Sequence, residues 1–399
     1  MAPIPQPPVA GVVQGQLSTA GTLAISPDQL KIDMFPRIFL YDPQANPVLT
    51  VVTNRVRSQS AMEVETKWLE DSPVPSWLTA NAGINNVATT LVLTSGQGAY
   101  VLPNAHIIKN MTTGELIQVT AVAGDSLTIV RGYAGTTAGS IATTDFLLNL
   151  RGAFGQGTNS PVSLATTKST KSNFCQIRKT TVTVTKTLDA VALYGGDERV
   201  YQRNKAASEH ARDWEHILLH GVKGSVVSSQ ANPVYLTGGL DYYITTNVLA
   251  TSGTLTESEF LDYLPNVFRY SVGGSPGKTK YLFASAEIIN TINSWGIAKL
   301  QTTPASDRAS QTYGLDIREY VSGFGTLMVV YHPLLEQGAK GRGYVLDLDG
   351  IMMRPLRPTR LNTNVQAPDA DVYKDEYLTE AGFMVAQELC HGIISGVSY

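Results

Sequence analysis

The sequence predicts an α+β protein built from an extended β arm, one long helix and a later α/β lobe. Valine and threonine alternate between Thr180 and Thr187, which is the period-two pattern of a β-strand. From Asp197 to His220, apolar residues fall on one face of an amphipathic helix; they are Val200, Ala207, Ala211, Trp214 and Leu218. At 1.5 Å per residue this helix would be roughly 36 Å long, which is long for one compact domain. A β arm that leads into a rod-like helix indicates a building block rather than a protein organised around a pocket.

The composition is that of a sparsely charged protein. Charged residues make up 16% of the 399 positions, whereas an ordinary soluble domain has about 25%. Such a chain must either cover much of its surface with partners or be poorly soluble alone. The net charge of -3 and the pI near 6.1 provide no electrostatic basis for tight binding to nucleic acid or to an anionic membrane. Cys175 and Cys390 lie far apart and imply no disulfide framework, and no apolar run is long enough for a membrane span.

The first 30 residues are apolar and rich in proline. Four of the first eight positions are prolines: Pro3, Pro5, Pro7 and Pro8. Proline favours an extended path without ladder hydrogen bonds, and Asp28 is the only charged residue before position 31. A disordered tail is one interpretation. An arm held by a partner surface is the other, because a disordered tail is usually charged, and the sequence leaves both open.

A further strand is predicted from Met62 by a clean alternation of side chains. One face carries Met62, Val64, Thr66 and Trp68, and the other carries Glu63, Glu65 and Lys67. We expect this half-exposed strand to pair with the strand at 176–187. Between them, residues 84–150 predict a β-rich insert, a small antiparallel barrel or sandwich, with strands at 116–122 and 126–131.

The later part of the chain has the pattern of an α/β lobe. Thr256-Glu-Ser-Glu259 is a capping box and opens a helix that Pro265 should kink. Ser285 should cap a second helix that ends at Gly296. Strands are predicted at 280–284, 325–331 and 344–348, followed by a return strand and a terminal segment within 377–397.

Two glycine-containing segments fail the nucleotide-binding patterns they resemble. Gly277-Lys278-Thr279 ends like a phosphate-binding loop, but the first glycine of that pattern would fall at Val272, and the loop precedes a strand instead of a helix. Gly152–Gly157 has the wrong spacing for a dinucleotide fingerprint. We interpret the first segment as a polar turn and the second as a connector.

The titratable clusters suit structural roles better than chemistry. His216 and His220 are four residues apart and could share a zinc ion, but no third ligand is at hand, because His210 should point elsewhere. An acidic cluster near the C-terminus suits a solvated loop or interface salt bridges; it comprises Asp369, Asp371, Asp375, Glu376 and Glu380. We therefore expect no catalytic residue, no cofactor and no metal.

The order of these parts resembles the major capsid proteins of tailed bacteriophages, which have the Hong Kong 97-like fold. Five stretches are similar to one branch of that family, in which the extended arm carries a β-rich insert. They are Met62–Asp71, Thr113–Thr120, Val130–Thr137, Glu209–Glu215 and Tyr377–Phe383. The similarity extends over nearly the whole chain and rests on the order and combination of the segments.

The resemblance implies an anatomy and a function. The implied parts are an extended N-arm (1–35), a peripheral-domain strand with the hairpin arm (36–83 and 151–187), the insertion domain (84–150), the peripheral domain (188–255 and 350–399) with a spine helix at 197–220, and the axial domain (256–349). The implied function is self-assembly into hexamers and pentamers of an icosahedral shell around double-stranded DNA, in a virion made in the bacterial cytoplasm. Implied partners are other copies, the portal and scaffold or decoration proteins, with weak non-specific contact to DNA and no membrane.

The arm strand and the helix supply the candidate assembly residues. These are Glu63, Glu65, Lys67, Trp68, Arg178, Lys179, Arg212 and Asp213. Three alternatives stay open at this point: an encapsulin-like nanocompartment shell protein, a phage tail or decoration protein, and a metal-dependent hydrolase using His216 and His220.

Overall fold

The computed structural model describes residues 48–50, 52, 59–152, 154, 156–191, 196–226, 232–272, 279–299, 318–336 and 338–399. The strands are β1 (Glu65–Glu70), β2 (Trp77–Thr79), β3 (Thr90–Val92), β4 (His106–Asn110), β5 (Leu116–Ala123), β6 (Ser126–Val130), β7 (Phe146–Gly152), β8 (Ser169–Phe174), β9 (Gln176–Thr185), β10 (Gly224–Val226), β11 (Val234–Leu236), β12 (Val248–Gly253), β13 (Thr279–Ala284), β14 (Glu319–Val321), β15 (Thr326–Tyr331), β16 (Gly343–Leu346), β17 (Ile351–Asn362), β18 (Val372–Val385) and β19 (Gly392–Val397). The helices are α1 (Lys186–Ala190), α2 (Glu198–His220), α3 (Leu240–Tyr243), α4 (Glu257–Phe268) and α5 (Ala286–Lys299). This mixture of helices and strands confirms the predicted α+β class.

The chain divides into a larger unit of residues 1–66 and 173–399 and a smaller unit of residues 67–172.

The two strands of the arm pair with each other. β1 lies beside β8 in a two-stranded sheet, and β9 pairs with β18. The prediction that the strand from Met62 pairs with residues 176–187 is therefore wrong. The chain changes sheets at Cys175, whose amide donates to the carbonyl of Val64 at 2.7 Å, so β8 and not β9 meets the outgoing strand. Met62 precedes β1 and is 98% exposed, although the sequence placed it on the same strand face as Trp68, which is buried.

Strand β9 confirms the alternation predicted for residues 180–187, although it ends at Thr185. Even-numbered side chains face α2, because Arg178 pairs with a helix carboxylate and Thr180 contacts a helix histidine. Odd-numbered side chains are exposed on the other face. Lys186 belongs to α1 instead of the strand.

Helix α2 packs on the three-stranded sheet β17–β18–β9. The side chain of Asp197 accepts from the first-turn amides, as expected of an N-cap residue. The buried face differs from the predicted stripe, since it consists of Ala206, His210, Trp214, Glu215, Leu218 and Leu219. Val200, which the stripe included, is 46% exposed. His210 is buried against polar side chains of this sheet, Thr180 and Thr379, whereas Glu215 is buried against Val48, Leu49 and His332.

The rest of the larger unit surrounds a six-stranded mixed sheet with the order β12–β19–β16–β13–β15–β14. β13 is parallel to β15 and antiparallel to β16. Helices α4 and α5 pack on this sheet through an apolar cluster that includes Phe260, Leu264, Leu282, Ile288 and Val345. The capping box at Thr256 is present as predicted, and α4 continues through Pro265 to Phe268 as one element.

Helix α5 differs from its prediction at both ends. The hydroxyl of Ser285 accepts from the amide of Gly341 at 3.0 Å, and the carboxylate of Glu336 accepts from the amide of Ala286 at 2.6 Å. The helix also continues beyond Gly296 to Lys299. A glycine inside a helix costs only about 1 kcal/mol relative to alanine, which packing of the buried helix face can offset.

The smaller unit contains a closed antiparallel sheet. Its strands follow the order β2–β7–β4–β5–β6–β3. Hydrogen bonds from Asn81 N to Val92 O (2.9 Å) and from Thr94 N to Thr79 O (3.0 Å) join the two ends. Aliphatic side chains fill the interior; Leu78, Leu91, Ile108, Ile117, Leu127 and Leu147 have no exposed surface. β5 and β6 coincide with the predicted strands, while β2 precedes residue 84, so the sheet begins before the expected insert.

Two predicted features lie outside the described residues. They are the extended N-arm at 1–35 and most of the glycine-lysine turn, whose residues 273–278 are not described. Within the described ranges, none of the helices combines the length and apolar character needed to cross a bilayer.

Candidate assembly interface

The predicted assembly residues of the first arm strand divide between surface and interior. Within β1, Lys67 is exposed and Glu65 is half-buried, while Glu63 is exposed in the bend before the strand. Trp68 lies on the opposite face, is 7% exposed and donates from its indole nitrogen to Glu70 at 2.9 Å. The three charged residues remain candidates for contact with another copy, whereas Trp68 is already covered by its own chain.

The other four predicted residues belong to β9 and α2, and only some of them lie where the two elements meet. Arg178 of β9 forms an ion pair with Asp213 of α2. Lys179, on the opposite face of β9, pairs with Glu376 at 3.6 Å and has a side chain that is 55% exposed. Arg212 is half-buried beside Asp213. The structure thus brings Arg178 and Asp213 together inside one chain, where they join the helix to the sheet.

Asp375 is the centre of a charge network that sequence reasoning did not assign. Its carboxylate is 1% exposed and accepts from Arg199 at 2.8 and 2.9 Å and from Arg203 at 2.7 Å. The amide of Asn364 adds a bond at 3.0 Å. The two arginines are one helical turn apart, so both reach the same carboxylate. Arg199 first, and then Arg203 and the Asn364 amide, hold the pKa of Asp375 well below its ordinary value against the opposing effect of burial.

A second buried carboxylate accepts hydrogen bonds from the backbone amides of residues 48 and 49. Glu215 of α2 has no exposed surface, and its two oxygens accept from the amides of Val48 at 3.0 Å and Leu49 at 2.7 Å. Nε2 of His332 lies 2.7 Å from the same carboxylate. The first amides of a helical segment lack partners within the helix, and a carboxylate there satisfies them and favours the helix dipole. In the sequence, the feature that indicates this buried contact is an acidic residue placed between Trp214 and the apolar end of the helix.

Two of the three histidines of α2, His210 and His220, contact neighbouring side chains. His210 is buried, and its Nε2 lies 2.8 Å from the hydroxyl of Thr379. Burial lowers the pKa of His210, which favours the neutral ring. His220 contacts the carboxylate of Asp241 at 2.8 Å, while His216 is exposed. In the part of the chain that the structure describes, no group of three or more histidine, cysteine, aspartate or glutamate side chains is arranged to hold a metal ion.

Comparison with known proteins decides the family. The sequence model of the family described as SU10 major capsid protein matches residues 13–398. The chain belongs to this family. The major capsid protein of Pseudomonas phage PaMx41 is 22% identical over 333 residues, which cover 82% of this chain and 78% of that protein. The capsid structure of Cyanophage A-1(L) aligns with a TM-score of 0.53 and 13% identity over 94% of this chain and 98% of that one.

This chain is therefore a major capsid protein of a phage, with the Hong Kong 97-like fold that the order of its segments indicated. The family match includes the smaller unit, residues 67–172, and the whole axial region expected at 256–349. Such coverage favours a capsid protein over the nanocompartment, tail and hydrolase alternatives.

Four of the five residues of the acidic cluster form ion pairs within one chain of the capsid protein. The pairs described are Asp371 with Lys186, Asp375 with Arg199 and Arg203, Glu376 with Lys179, and Glu380 with Arg357. The sequence predicted a solvated loop or interface salt bridges here; the salt bridges described lie within one chain, and salt bridges to a neighbour stay a prediction. The pairs join β18 and the residue before it to both flanking strands, β9 and β17, to α1 and to α2, so they stabilise the sheet on which the helix packs.

Proposed function

We propose that the capsid protein self-assembles into hexamers and pentamers of an icosahedral shell that encloses a double-stranded DNA genome. The observation that carries the proposal is the family match over residues 13–398, which spans both units. The surface supports it, because large apolar side chains are exposed on the described protein: Met62 is 98%, Trp77 53% and Phe146 64% exposed. Exposed apolar area of this kind favours contact with partners.

We assign the parts of the chain to the anatomy that the family resemblance implied. Residues 1–35 would be the N-arm, the paired strands β1 and β8 the extended arm, and α2 with its three-stranded sheet the peripheral domain. The six-stranded sheet with α4 and α5 would be the axial domain. The smaller unit would be an insertion domain on the outside of the particle, since a DNA-facing unit would be basic.

The proposed role is structural, with no catalytic residue, cofactor or metal. The partners are other copies, the portal, and scaffold or decoration proteins of the virion. Contact with packaged DNA would be weak and non-specific, in line with the net charge of -3.

Expression of the full chain, followed by negative-stain electron microscopy and sedimentation over a range of concentrations, tests this function. We expect closed shells of uniform size. Open tubes or flat sheets would support self-association and contradict the closed shell. A chain that stays monomeric at every concentration while folded by circular dichroism would contradict the function itself.

A further inference from the structure

Strand β9 has one edge that no described strand covers. It lies at the end of the sheet β17–β18–β9, and its ten residues match residues of β18 one by one without a bulge. The same register continues at Lys186, whose amide donates to the carbonyl of Asp371 at 3.4 Å. In an antiparallel pair, residues that bond to the partner strand alternate with residues whose N–H and C=O groups point away from it. The even-numbered residues of β9 therefore bond to β18, and the odd-numbered ones face the open edge.

The hydrogen bonds of β18 agree with this alternation. Lys374 lies opposite Thr183 and bonds on the side away from β9, since its carbonyl accepts from the amide of Val365 at 2.8 Å. Its amide donates to the side chain of Gln366 at 3.2 Å. The backbone of Thr183 therefore has no partner in β18 and points to the open edge. The same holds for the other odd-numbered residues of the edge segment, residues 179–185, whose side chains are exposed.

The opposite edge of the same sheet is protected against further pairing, whereas the edge segment is not. β17 carries three arginines as well as Pro355 and Pro358, which lack an amide hydrogen, and its register shifts twice. Prolines, charges and bulges are the devices that keep an edge strand from pairing with another chain. In β9, residues 180–185 read Thr-Thr-Val-Thr-Val-Thr and contain none of these devices. An uncovered edge of this kind is a template for another strand.

The length of the edge segment restricts the strand that can cover it. Among the described strands at a sheet edge, only β9 and β17 are longer than six residues. The prolines of β17 exclude it, because they would leave carbonyls of the edge segment without a donor. The remaining candidate is β9 of a second copy. Antiparallel pairing of the edge segment with itself places Val182 opposite Val182, Thr181 opposite Thr183 and Lys179 opposite Thr185, so no like charges meet.

We propose that the edge segment pairs with the edge segment of a second copy across a two-fold axis at Val182, which rests on the proposed assembly into shells. Thr181 of each copy exchanges two backbone hydrogen bonds with Thr183 of the other. The two sheets join into one sheet of six strands with the order β17–β18–β9–β9–β18–β17. Arg178 and Lys186 flank the segment, and each has a carboxylate partner within its own chain. A two-fold contact uses the same surface on both copies, so the capsid protein alone supplies both sides.

Disulfide trapping in assembled shells of the full chain tests the proposal. Val182→Cys places two thiols on the axis, in a pair without mutual hydrogen bonds whose Cα atoms are about 4.5 Å apart, within the roughly 4.4–6.8 Å that a disulfide spans. After oxidation we expect covalent dimers that reductant releases, and no larger species, since a two-fold contact joins copies in pairs. Ile177→Cys is the control, because this exposed position of the same strand would lie roughly 34 Å from its own copy along the strands. It should remain monomeric, and the native cysteines are buried.

The other outcomes of this experiment are distinguishable. A ladder of covalent multimers, dimers from both cysteine variants, or intact shells without any dimer would overturn the pairing and leave the shell function standing. Failure of the unmodified chain to form shells would instead count against the proposed function. In that case oxidation of Val182→Cys at high protein concentration decides the pairing, which dimers support and their absence overturns.

Hydrogen exchange at single-residue resolution provides a readout that needs no substitution. The amides of Thr181 and Thr183 should exchange rapidly in the unassembled chain and about tenfold or more slowly in shells. The amides of Val182 and Val184, which bond to β18, should exchange slowly in both states. Slow exchange of Thr181 and Thr183 in the unassembled chain would show that the edge is already covered and would overturn the proposal, as would rapid exchange in shells.

A charged pair of substitutions tests the register where Val182→Cys does not fold. Thr181→Lys with Thr183→Lys leaves the pairing with β18 intact, because both side chains are exposed, but places lysine opposite lysine twice across the axis. We expect weaker shells, most of all at low salt, where repulsion is least screened. Thr181→Gln with Thr183→Gln is the neutral control. Equal shell stability of the two double variants at every salt concentration would overturn the proposal.

Discussion

Asp375 lies between two arginines of helix α2, and the loss of its charge should destabilise the sheet on which that helix packs. In Asp375→Asn the shape of the side chain is kept while the charge that Arg199 and Arg203 bind is lost. We expect the free energy of unfolding to fall by about 2–3 kcal/mol, because a hydrogen bond to a charged group contributes about 1.5–3 kcal/mol. Urea denaturation of the unassembled protein measures this. Glu376→Gln, which breaks the more exposed pair with Lys179, is the control and should cost only about 0–1 kcal/mol.

The same carboxylate predicts a pH dependence with a definite sign. The pKa of Asp375 is lower in the folded protein than in the unfolded chain, so its contribution is complete above the unfolded pKa, about 3.9, and is lost as pH falls toward the folded value. The difference in unfolding free energy between the unmodified chain and Asp375→Asn should stay constant from neutral pH to about pH 5 and shrink below about pH 4. A difference that persists undiminished in strong acid would contradict this assignment.

Glu215 should control how firmly the chain is held at Val48. In Glu215→Gln the carboxylate that accepts from the amides of Val48 and Leu49 and contacts His332 is lost. We expect faster hydrogen exchange of those two amides and a loss of about 2–3 kcal/mol in unfolding free energy, since a buried partner is left unsatisfied. Glu209→Gln is the matched control on the same helix, because its side chain is 46% exposed. Equal exchange in the two variants would count against the contact.

At the scale of elements, the N-terminal segment should matter for assembly and not for folding of the protomer. Residues 1–30 lack the spacing of a core element and carry apolar side chains that need a partner surface. Their removal should leave the circular dichroism spectrum nearly unchanged while shells fail to form or become fragile. Normal assembly of the shortened chain, with undiminished resistance to denaturant, would contradict the prediction.

The exposed face of the first arm strand should contribute to contacts between copies. In the double variant Glu63→Lys, Glu65→Lys, two charges of that face are reversed. Each exposed pair contributes only about 0–1 kcal/mol, but a symmetric shell repeats it in every subunit. We expect weaker shells, more so at low salt where repulsion is least screened, as measured by sedimentation across salt concentrations. The neutral double variant Glu63→Gln, Glu65→Gln should show less salt dependence, and shell stability that is unaffected by charge reversal at any salt would rule out this role.

At the scale of the whole molecule, the larger unit should fold without the smaller one. Thr166 donates to Asp71 at 2.9 Å, and Ser169 donates to the carbonyl of Glu70 at 3.2 Å. The two segments of the chain that connect the arm to the rest of the smaller unit therefore lie side by side. Replacing residues 72–165 by a short Gly/Ser linker should therefore give a soluble, folded protein, because closing a short loop between adjacent ends costs little. Soluble yield and thermal unfolding measure this.

A narrower replacement serves as the control for the choice of residues 72–165. Replacing only residues 83–150 would leave β2 without its partner β7 and would expose Leu78, which is fully buried in the intact unit. We expect this narrower replacement to aggregate. Insolubility of the wider replacement, or equal behaviour of the two proteins, would contradict the division into units.

Features that depend on a few neighbouring residues were predictable. The limits of α2, the capping box at Thr256, and strands β5 and β6 all follow from periodicity or a cap within one segment. The family resemblance also rested on the order of such segments. The spacing of Arg199 and Arg203 was visible in the same way, since it is a property of one helix.

The contacts between residues that are distant in the sequence were decided only by the tertiary structure. Asp375 with its two arginines, Glu215 with Val48, and β1 with β8 instead of β9 each join residues that are distant in the sequence. Apolar periodicity describes how a side chain is spaced along its own helix, but it carries no information about the surface that helix will face. The sequence by itself therefore determined the elements and the family, while the buried polar face of α2 and the pairing of β1 with β8 depended on contacts with remote segments of the chain.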